Sequence, residues 1–359
     1  MNNEVGQLII TGIEGFVLND MERDFIEKEN IGGVILFSRN FESPAQLAEL
    51  INSIQKLRQE YPLFISVDHE GGRVIRFRKN FTQFPAMAEI AKLDSPKMCF
   101  HIHKIMAEEL AVCGINLDFS PCCDVLSNSK NKVIGDRSFG TMPDDVSKYI
   151  TAAIRGLQTN GVLACAKHFP GHGATSKDSH LELPIVNISK EELDSKHLPP
   201  FVRAIKSSRV EFVMMAHVIV DCLDPELPSS LSLKVHNLLR KDMKFNKIIV
   251  SDDMQMQAIS DNYSVEESVS LALKAGTDVL IYRDASKAQE ALAVIKNSMK
   301  TKKIKNELIM EKLGRINKCK KAYIGEYKPV YIPKISNKIN SRSTQIFLDE
   351  ILEKIESKR

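Results

Sequence analysis

Short apolar runs recur along the chain, each followed by a turn signal and then by a helical pattern. The eight runs occupy residues 7–15, 32–38, 63–72, 115–121, 162–168, 211–217, 247–253 and 277–283. They are β-branched and apolar without clean alternation, which is typical of parallel strands that are buried on both faces. Helical patterns lie between them, for example at 44–60 and 264–276. The second opens with Ser264 and Glu267 at capping-box spacing and ends at Gly276.

This alternation of strands and helices predicts a parallel α/β fold. Eight units in about 300 residues is the count of a (β/α)8 TIM-like barrel. An open doubly wound sheet is the alternative, but it favours a GxGxxG loop after the first strand, where this chain has GIEGFVLND. We therefore predict one barrel domain over residues 1–325 and a basic C-terminal extension over 326–359.

The end of the chain is unusually basic. Residues 301–359 hold 15 Lys or Arg and 7 Asp or Glu, a net charge of +8, so the remainder carries −5 of the total of +3. Basic tails can bind nucleic acid or anionic surfaces, but aromatic residues are few here, and a solvated extension is the favoured interpretation. A helical stripe within 344–357 consists of Phe347, Leu348, Ile351, Leu352 and Ile355. It is expected to pack on the barrel or on a second subunit, which leaves a homodimer open.

The composition indicates the cellular compartment and the classes of partner to expect. The 359 residues are 43% hydrophobic and 26% charged, as in ordinary globular proteins. Seven scattered cysteines fit a reducing cytoplasm better than a disulfide framework. No apolar run approaches the roughly 20 residues that span a bilayer, and the start lacks the pattern of a secretory signal. We expect a cytoplasmic protein without nucleic acid or stable membrane partners.

Polar residues cluster where the predicted strands end. They are Asp68, His69, Glu70, Asp118, Lys167, His168, His217, Asp252, Asp253 and Arg283. In a barrel these ends converge on one face, where active sites are built. Buried charges cost several kcal/mol each unless they are paired, so this clustering indicates an active site rather than a structural sheet.

The stretch KHFPGHGATSKDSH at 167–180 continues as a long loop to about residue 188. Pro170 prevents a regular helix there, and loops of this length are usually functional. Asp178 beside His180 would raise the imidazole pKa and fix its tautomer, which makes a general acid near neutral pH.

Metal binding is the competing interpretation of these histidines. A metal site needs three or four convergent ligands, whereas His168 and His172 are four residues apart outside a helix and share no face. We therefore predict no metal.

Two arginines and a carboxylate are candidate ligand contacts. Asp68 could accept hydrogen bonds from two sugar hydroxyls, and Arg76 offers a planar fork to another ligand oxygen. An ion pair between them that only holds the loop is an equal alternative. Arg137, in IGDRSFG, could contact substrate, although a salt bridge with the adjacent Asp136 is nearly as plausible.

Lys167 and His168 end the fifth strand, and both can donate to ligand hydroxyls; a supporting, hydrogen-bonded role is the alternative for His168. At the end of the seventh strand, Asp252 and Asp253 point to opposite faces because strand side chains alternate. A carboxylate nucleophile opposite a separate proton donor is the layout of a retaining glycosidase. The other carboxylate could cap the following helix. Periodicity cannot decide which aspartate faces inward, because both faces are buried.

Four motifs together, DxEGGRVxRF, GxRSFG, KHFPGHGxxxxDSH and SDD after a strand, resemble glycoside hydrolase family 3 and its single-domain bacterial β-N-acetylglucosaminidases. The resemblance covers about residues 5–320. It implies a TIM-like barrel that removes terminal N-acetylglucosamine with retention, without a cofactor, through a glycosyl-aspartate intermediate. It also implies Asp252 as the nucleophile and His180 with Asp178 as the acid/base pair. The implied sugar contacts are Asp68, Arg76, Arg137, Lys167 and His168.

The resemblance also implies a substrate. These bacterial enzymes typically serve cytoplasmic cell-wall recycling and cut N-acetylglucosamine from 1,6-anhydro-N-acetylmuramic acid with or without peptide. His69 and Met254 stand where glutamine and leucine are expected, and the segment after residue 325 has no counterpart. A phosphorylase that uses the same residues, and an inactive sugar-binding protein on the same barrel, are the alternatives.

Overall fold

A closed barrel of eight parallel strands forms the centre of the protein. The structure, a computed structural model, describes residues 4–58, 60–175, 183–335 and 337–358. Its strands are β1 (Ile9–Gly12), β2 (Gly33–Leu36), β3 (Phe64–Val67), β4 (Leu117–Asp118), β5 (Leu163–Phe169), β6 (Ile185–Val186), β7 (Phe212–Met215), β8 (Ile219–Val220), β9 (Ile248–Asp253) and β10 (Val279–Tyr282). β6 and β8 form a separate pair, and the other eight close the barrel in chain order. The predicted strands and the TIM-like barrel are confirmed.

Helices surround the barrel. They are α1 (Asp20–Lys28), α2 (Pro44–Gln55), α3 (Met87–Ala91), α4 (Pro96–Val112), α5 (Pro143–Gln158), α6 (Lys190–Glu192), α7 (Leu198–Lys206), α8 (Leu233–Asn237), α9 (Gln257–Ser260), α10 (Val265–Ala275), α11 (Ala285–Lys300), α12 (Asn306–Cys319) and α13 (Arg342–Glu356). Short 3-10 turns lie at Val5–Leu8, Ser38–Asn40, Gly135–Arg137 and Ile332–Lys334, and π-helical turns at Leu193–His197, Leu238–Asp242 and Lys320–Ile324. The predicted capping box of α10 is present, and Gly276 ends that helix with φ of 134°.

A contact across the barrel shows which strand faces point inward. The rings of Phe64 on β3 and Phe212 on β7 meet edge to face with centroids 5.3 Å apart, although β4 and β5 separate the two strands. Both rings therefore lie in the barrel interior. Phe212 is in register with Ile248 on β9, and Val250 follows two residues later on the same face. The inward face of β9 thus leads toward Asp252.

A buried lysine, Lys320, fills the barrel at the amino-terminal ends of the strands. Lys320 Nζ donates to Gln7 Oε1 and to the carbonyl oxygen of Gly32, each at 2.7 Å, and lies 4.8 Å from the centre of the Phe64 ring. Because Gln7 and Gly32 precede β1 and β2, Lys320 lies at the opposite end of the barrel from the strand ends that carry the polar residues. Burial lowers the pKa of Lys320 to about 7.

The C-terminal extension packs on the barrel. Leu348, Ile351 and Ile355 of α13 are buried in the larger hydrophobic core, and the ring of Phe347 contacts that of His101 on α4. Leu352, which the sequence placed on the same stripe, is 41% exposed. The stripe is therefore narrower than predicted. In the described parts of the chain, no helix is both long enough and apolar enough to cross a bilayer.

Candidate active site

A cavity of about 290 Å³ opens at the carboxyl ends of the barrel strands. Its lining consists of Asp68, Glu70, Arg73, Val74, Arg76, Lys132, Val133, Arg137, Lys167, His168, Met214 and Asp252. All five predicted sugar contacts and the predicted nucleophile are among them. The volume lies at the low end of the range for small-molecule pockets, about 300–1,000 Å³. Residues from β3, β5, β7 and β9 thus meet in one small site.

Glu70 is the centre of the charged network in this cavity. Arg137 donates to it twice, from Nε to Oε2 at 2.8 Å and from Nη2 to Oε1 at 2.7 Å. Lys167 Nζ lies 2.7 Å from the same Oε1. Glu70 and Lys167 are each only 2% exposed. The alternative considered for Arg137, a local salt bridge with Asp136, does not form: Asp136 pairs with Arg73.

Opposite charges keep these groups ionised in spite of burial. Burial raises the pKa of Asp68, but Lys167 and Arg76 outweigh that effect and lower it to about 2. Burial likewise opposes ionisation of Glu70, yet Arg137 and Lys167 hold the pKa of this carboxyl well below its usual range. Burial lowers the pKa of Lys167, whereas Asp68 and Glu70 raise it further, above its ordinary value. At neutral pH the site therefore presents fixed charges to a polar ligand.

Arg76 and Asp68 form the ion pair that the sequence left open, with Nη2 3.1 Å from Oδ2. Their side chains remain 30% and 18% exposed and line the cavity, so the ion pair and a ligand contact are compatible. Arg73 has a structural role, since its Nη2 donates to the carbonyl oxygens of residues 132–134. Arg78 in turn donates to the carbonyl of Arg73.

His168 is oriented by Asp124, a buried residue that sequence reasoning missed. His168 Nδ1 donates to Asp124 Oδ2 at 2.8 Å, and Arg137 Nη2 lies 3.4 Å from Nε2. The thiol of Cys122 also donates to Asp124. These three residues place potential ligand atoms within 4.8 Å of one another. Burial raises the pKa of the Cys122 thiol well above its usual value, and metal binding requires a thiolate. We interpret the group as hydrogen-bonded support for His168.

Two asparagines fasten the start of the histidine loop. Asn131 Nδ2 donates to the carbonyl of His172 at 2.8 Å and to Thr175 Oγ1 at 3.0 Å. Asn128 Nδ2 donates to the carbonyl of Thr175 at 3.1 Å. The sequence predicted a loop that extends to about residue 188. Its last part includes the short strand β6, which pairs with β8. The predicted acid/base residues Asp178 and His180 lie outside the described residues.

The two adjacent aspartates of β9 have different surroundings. Asp252 lines the cavity. Asp253 forms an ion pair with Arg283, with Oδ2 2.7 Å from Nε, and burial raises the pKa of Asp253 to about 6 in spite of this arginine. The prediction that Asp253 caps the following helix is wrong. That helix, α9, begins at Gln257 after Met256, and Asp253 instead accepts from the backbone N–H of Gln255.

A buried histidine supports the same strand end. His217 Nε2 donates to the carbonyl of Asp253 at 3.1 Å, and the Ser230 hydroxyl donates to Nδ1 at 2.7 Å. Burial lowers the pKa of His217, which keeps the ring neutral in this tautomer. His217 thus holds the backbone next to Asp252.

His69 and Asp118 also lie outside the cavity lining. Asp118 Oδ1 accepts from the backbone N–H of His69 at 2.9 Å, and the His69 ring packs against the rings of Phe77 and Phe81. They shape the start of the loop that leaves β3 rather than the surface a ligand would meet.

Carboxylates, cations and an imidazole line a small cavity at the barrel mouth, an arrangement that suits a polar, hydroxyl-rich ligand, and Asp252 is one of these carboxylates. This is the composition of a carbohydrate-processing site. Residues 1–319 match the glycosyl hydrolase family 3 N terminal domain. The chain belongs to this family of glycoside hydrolases.

Curated relatives and solved structures agree with that assignment. The β-hexosaminidase of Nitrosomonas eutropha is 40% identical over 292 residues, which are 79% of this chain and 83% of that protein. The β-hexosaminidase of Shewanella frigidimarina is 37% identical over 290 residues, 79% of this chain and 84% of that protein.

Among solved structures, a family 3 β-N-acetylglucosaminidase from Paenibacillus sp. str. FPU-7 matches with a TM-score of 0.95 at 34% identity, over 99% of this chain and 68% of that chain. The β-N-acetylglucosaminidase from Thermotoga maritima matches with a TM-score of 0.80 at 27% identity, over 91% and 68% of the respective chains. The Paenibacillus match takes in nearly all of the C-terminal extension, for which the sequence alone offered no counterpart.

Proposed function

We propose that this chain is a retaining exo-β-N-acetylglucosaminidase that releases terminal N-acetylglucosamine from peptidoglycan fragments. The observation that carries the proposal is the meeting of Asp252 with Asp68, Arg76, Arg137, Lys167 and His168 in one small cavity. The names of the curated relatives, β-hexosaminidases, and of the similar structures support the sugar and the reaction.

The reaction takes place in two displacements. First the carboxylate of Asp252 attacks C1 of the sugar while the glycosidic C1–O bond breaks, and His180 gives a proton to the departing oxygen. Asp178 keeps the His180 imidazole oriented and protonated. Water then attacks C1, its proton returns to His180, and the bond between C1 and Asp252 breaks. Two inversions at C1 give net retention.

The ionised network around Glu70 supports recognition of the sugar hydroxyls. Asp68 can accept from two hydroxyls while Lys167 and Arg76 donate to ligand oxygens. These groups are fixed before a ligand arrives, because each already forms an ion pair within the cavity. Preorganised donors and acceptors reduce the entropy cost of binding.

The rim of the cavity supports an anionic aglycone. In 1,6-anhydro-N-acetylmuramic acid the charge would come from the lactyl carboxylate, and with peptide attached it would come from the carboxylates of the peptide. Lys132 lines the cavity, is exposed, and has no ion-pair partner among the residues that the structure describes. Lys132→Ala should raise KM for the anhydromuropeptide and leave KM for a neutral aryl glycoside unchanged; equal KM values for the anhydromuropeptide would remove this support.

The proposed compartment is the cytoplasm. All seven cysteines are free thiols, and six of them are buried. This chemistry suits a reducing compartment, where turnover of cell-wall fragments would take place.

Turnover of an activated aryl β-N-acetylglucosaminide, compared with the matching glucoside, tests the function. We expect faster turnover of the N-acetylglucosaminide and free N-acetylglucosamine as the product, with or without added phosphate. Sugar 1-phosphate as the main product in phosphate buffer would show a phosphorylase instead. No turnover of either glycoside would favour a sugar-binding protein.

A further inference from the structure

Residues 68–86, which connect β3 to α3 and are called here the β3–α3 loop, are fastened to the outer layer by one carboxylate. Glu109 of α4 accepts from the backbone N–H of Thr82 through Oε2 at 2.9 Å and from the Thr82 hydroxyl through Oε1 at 2.6 Å. Thr82 and Glu109 are each 2% exposed. A buried carboxylate held this way tolerates little displacement of the loop, because an unmade buried hydrogen bond is costly.

The same carboxylate also holds the C-terminal extension. The backbone N–H of Asn340 donates to Glu109 Oε1 at 2.8 Å. In the described ranges no Lys or Arg forms an ion pair with Glu109, so hydrogen-bond donors from Thr82 and Asn340 replace a cation. Burial raises the pKa of Glu109, and these hydrogen bonds act against that rise. Glu109 therefore joins α4, the β3–α3 loop and the extension.

Packing reinforces this junction. Ile335 and Ile339 of the extension are buried in the same core cluster as Phe77 and Phe81 of the β3–α3 loop. The extension therefore shares a hydrophobic core with the loop that carries Asp68 and Glu70.

A short series of hydrogen bonds connects the region of Thr82 with the segment that carries Arg76. Gln83, the next residue, donates from Nε2 to the carbonyl oxygens of Arg78 at 3.0 Å and Phe81 at 2.9 Å. The backbone N–H of Gly72 donates to the carbonyl of Phe84 at 2.9 Å. The segment that carries Arg76 is thus held from both ends, and Arg76 reaches Asp68 in the cavity.

We propose that Glu109 is a positioning residue for sugar binding, and that the C-terminal extension contributes to substrate affinity through it. By tying Asn340 and Thr82 to α4, Glu109 sets the place of Arg76 in the cavity. The inference rests on the proposed roles of Asp68 and Arg76 as sugar contacts.

The test measures kcat, KM and the unfolding midpoint of the full chain with an activated aryl N-acetylglucosaminide. Thr82→Val removes the hydroxyl donor while it keeps the side-chain shape and the backbone N–H. We expect KM to rise about fivefold or more with kcat within about twofold, since binding that is equal in ground state and transition state appears in KM. Thr82→Ser, which restores the hydroxyl, should return KM to the parent value. Glu109→Gln is the second variant and should raise KM in the same way.

Asn52→Ala is the matched control. Asn52 of α2 donates to the carbonyl of Val330 at 3.1 Å and accepts from its N–H at 2.8 Å, so the variant loosens the extension away from the β3–α3 loop. It should lower the unfolding midpoint and leave KM unchanged. An unchanged KM in Thr82→Val and Glu109→Gln, together with a raised KM in Arg76→Lys, would overturn the inference and leave the proposed function standing. An unchanged KM in Arg76→Lys would count against the proposed sugar contact itself.

Discussion

Lys167 Nζ lies 2.9 Å from Asp68 Oδ1, although 99 residues separate the two along the chain. Lys167 lies near the end of β5 and Asp68 follows β3, and these strands lie on either side of β4. The ion pair therefore forms only when β3, β4 and β5 lie side by side in the sheet. Two charges that would each be costly to bury alone are stable together, because each satisfies the other.

Glu70→Gln should damage both the fold and the site. The amide keeps the shape but loses the charge that Arg137 and Lys167 share, so two buried cations are left with one carboxylate less. Breaking a buried pair costs about 3–5 kcal/mol, and we expect a loss of that order in the free energy of unfolding, with a lower kcat/KM. Denaturant unfolding and steady-state kinetics measure the two effects. Asp94→Asn, which removes a surface pair with Lys148, should cost less than about 1 kcal/mol; an equal loss in both variants would contradict the assigned role of Glu70.

His217→Phe should lower kcat more than it raises KM. The variant removes the hydrogen bond to the carbonyl of Asp253 and frees the backbone next to the proposed nucleophile. A loss of about tenfold in kcat corresponds to about 1.4 kcal/mol of transition-state stabilisation. His217→Gln, which can still donate to the carbonyl, should recover part of kcat. A variant that raises KM without lowering kcat would instead place His217 in ground-state binding.

Stability should fall below neutral pH because of buried neutral histidines. His236 donates from Nδ1 to the carbonyl of Ser232 and accepts at Nε2 from Thr277, and burial lowers its pKa to about 4. Lys312 and Arg240 lower this pKa further, whereas Asp278 and the hydrogen bond to Ser232 raise it. The unfolded chain takes up the proton near pH 6.5.

The contribution of His236 is therefore complete above about pH 6.5 and is lost as pH falls toward 4, amounting to about 3 kcal/mol. His236→Gln should be less stable than the parent at pH 7.5 and should lose less stability between pH 6.5 and 4. Denaturant unfolding at several pH values measures both effects. An acid loss in His236→Gln equal to that of the parent would contradict the assignment.

His180→Ala should lower turnover most for substrates with poor leaving groups. A reactive aryl leaving group needs little protonation, so its glycosylation step should suffer less. Asp178→Asn should act in the same direction. Equal losses for good and poor leaving groups, without a change to rate-limiting deglycosylation, would contradict the acid role.

The hydrophobic pattern was sufficient to predict the barrel. Eight apolar runs with helices between them are compatible with few arrangements of parallel strands. It was insufficient for the inward face of β9. Both faces of a barrel strand are buried, and only the contact between Phe64 and Phe212 across the interior orients that strand. The two aspartates then differ in their position, because Asp252 lines the cavity and Asp253 does not.

Supporting residues were harder to predict. Glu70 stands in the DxEGGR motif and could have been found there, since a second carboxylate beside Asp68 requires cations of its own. Asp124 lies in a loop without any motif, and its importance comes from four donors that converge on it only in the folded chain. The prediction that Asp253 caps the next helix was wrong because β9 ends at Asp253, whereas α9 begins four residues later, at Gln257.

Covalent labelling tests the central claim most directly. A 5-fluoro derivative of N-acetylglucosaminyl fluoride, which keeps the 2-acetamido group, should accumulate as a glycosyl-enzyme, and peptide mapping should place the label on Asp252. Asp253→Asn should still be labelled at Asp252, and Asp252→Asn should take no label while it keeps the fold. A label on Asp253 in the parent protein, or full turnover by Asp252→Asn, would contradict the account.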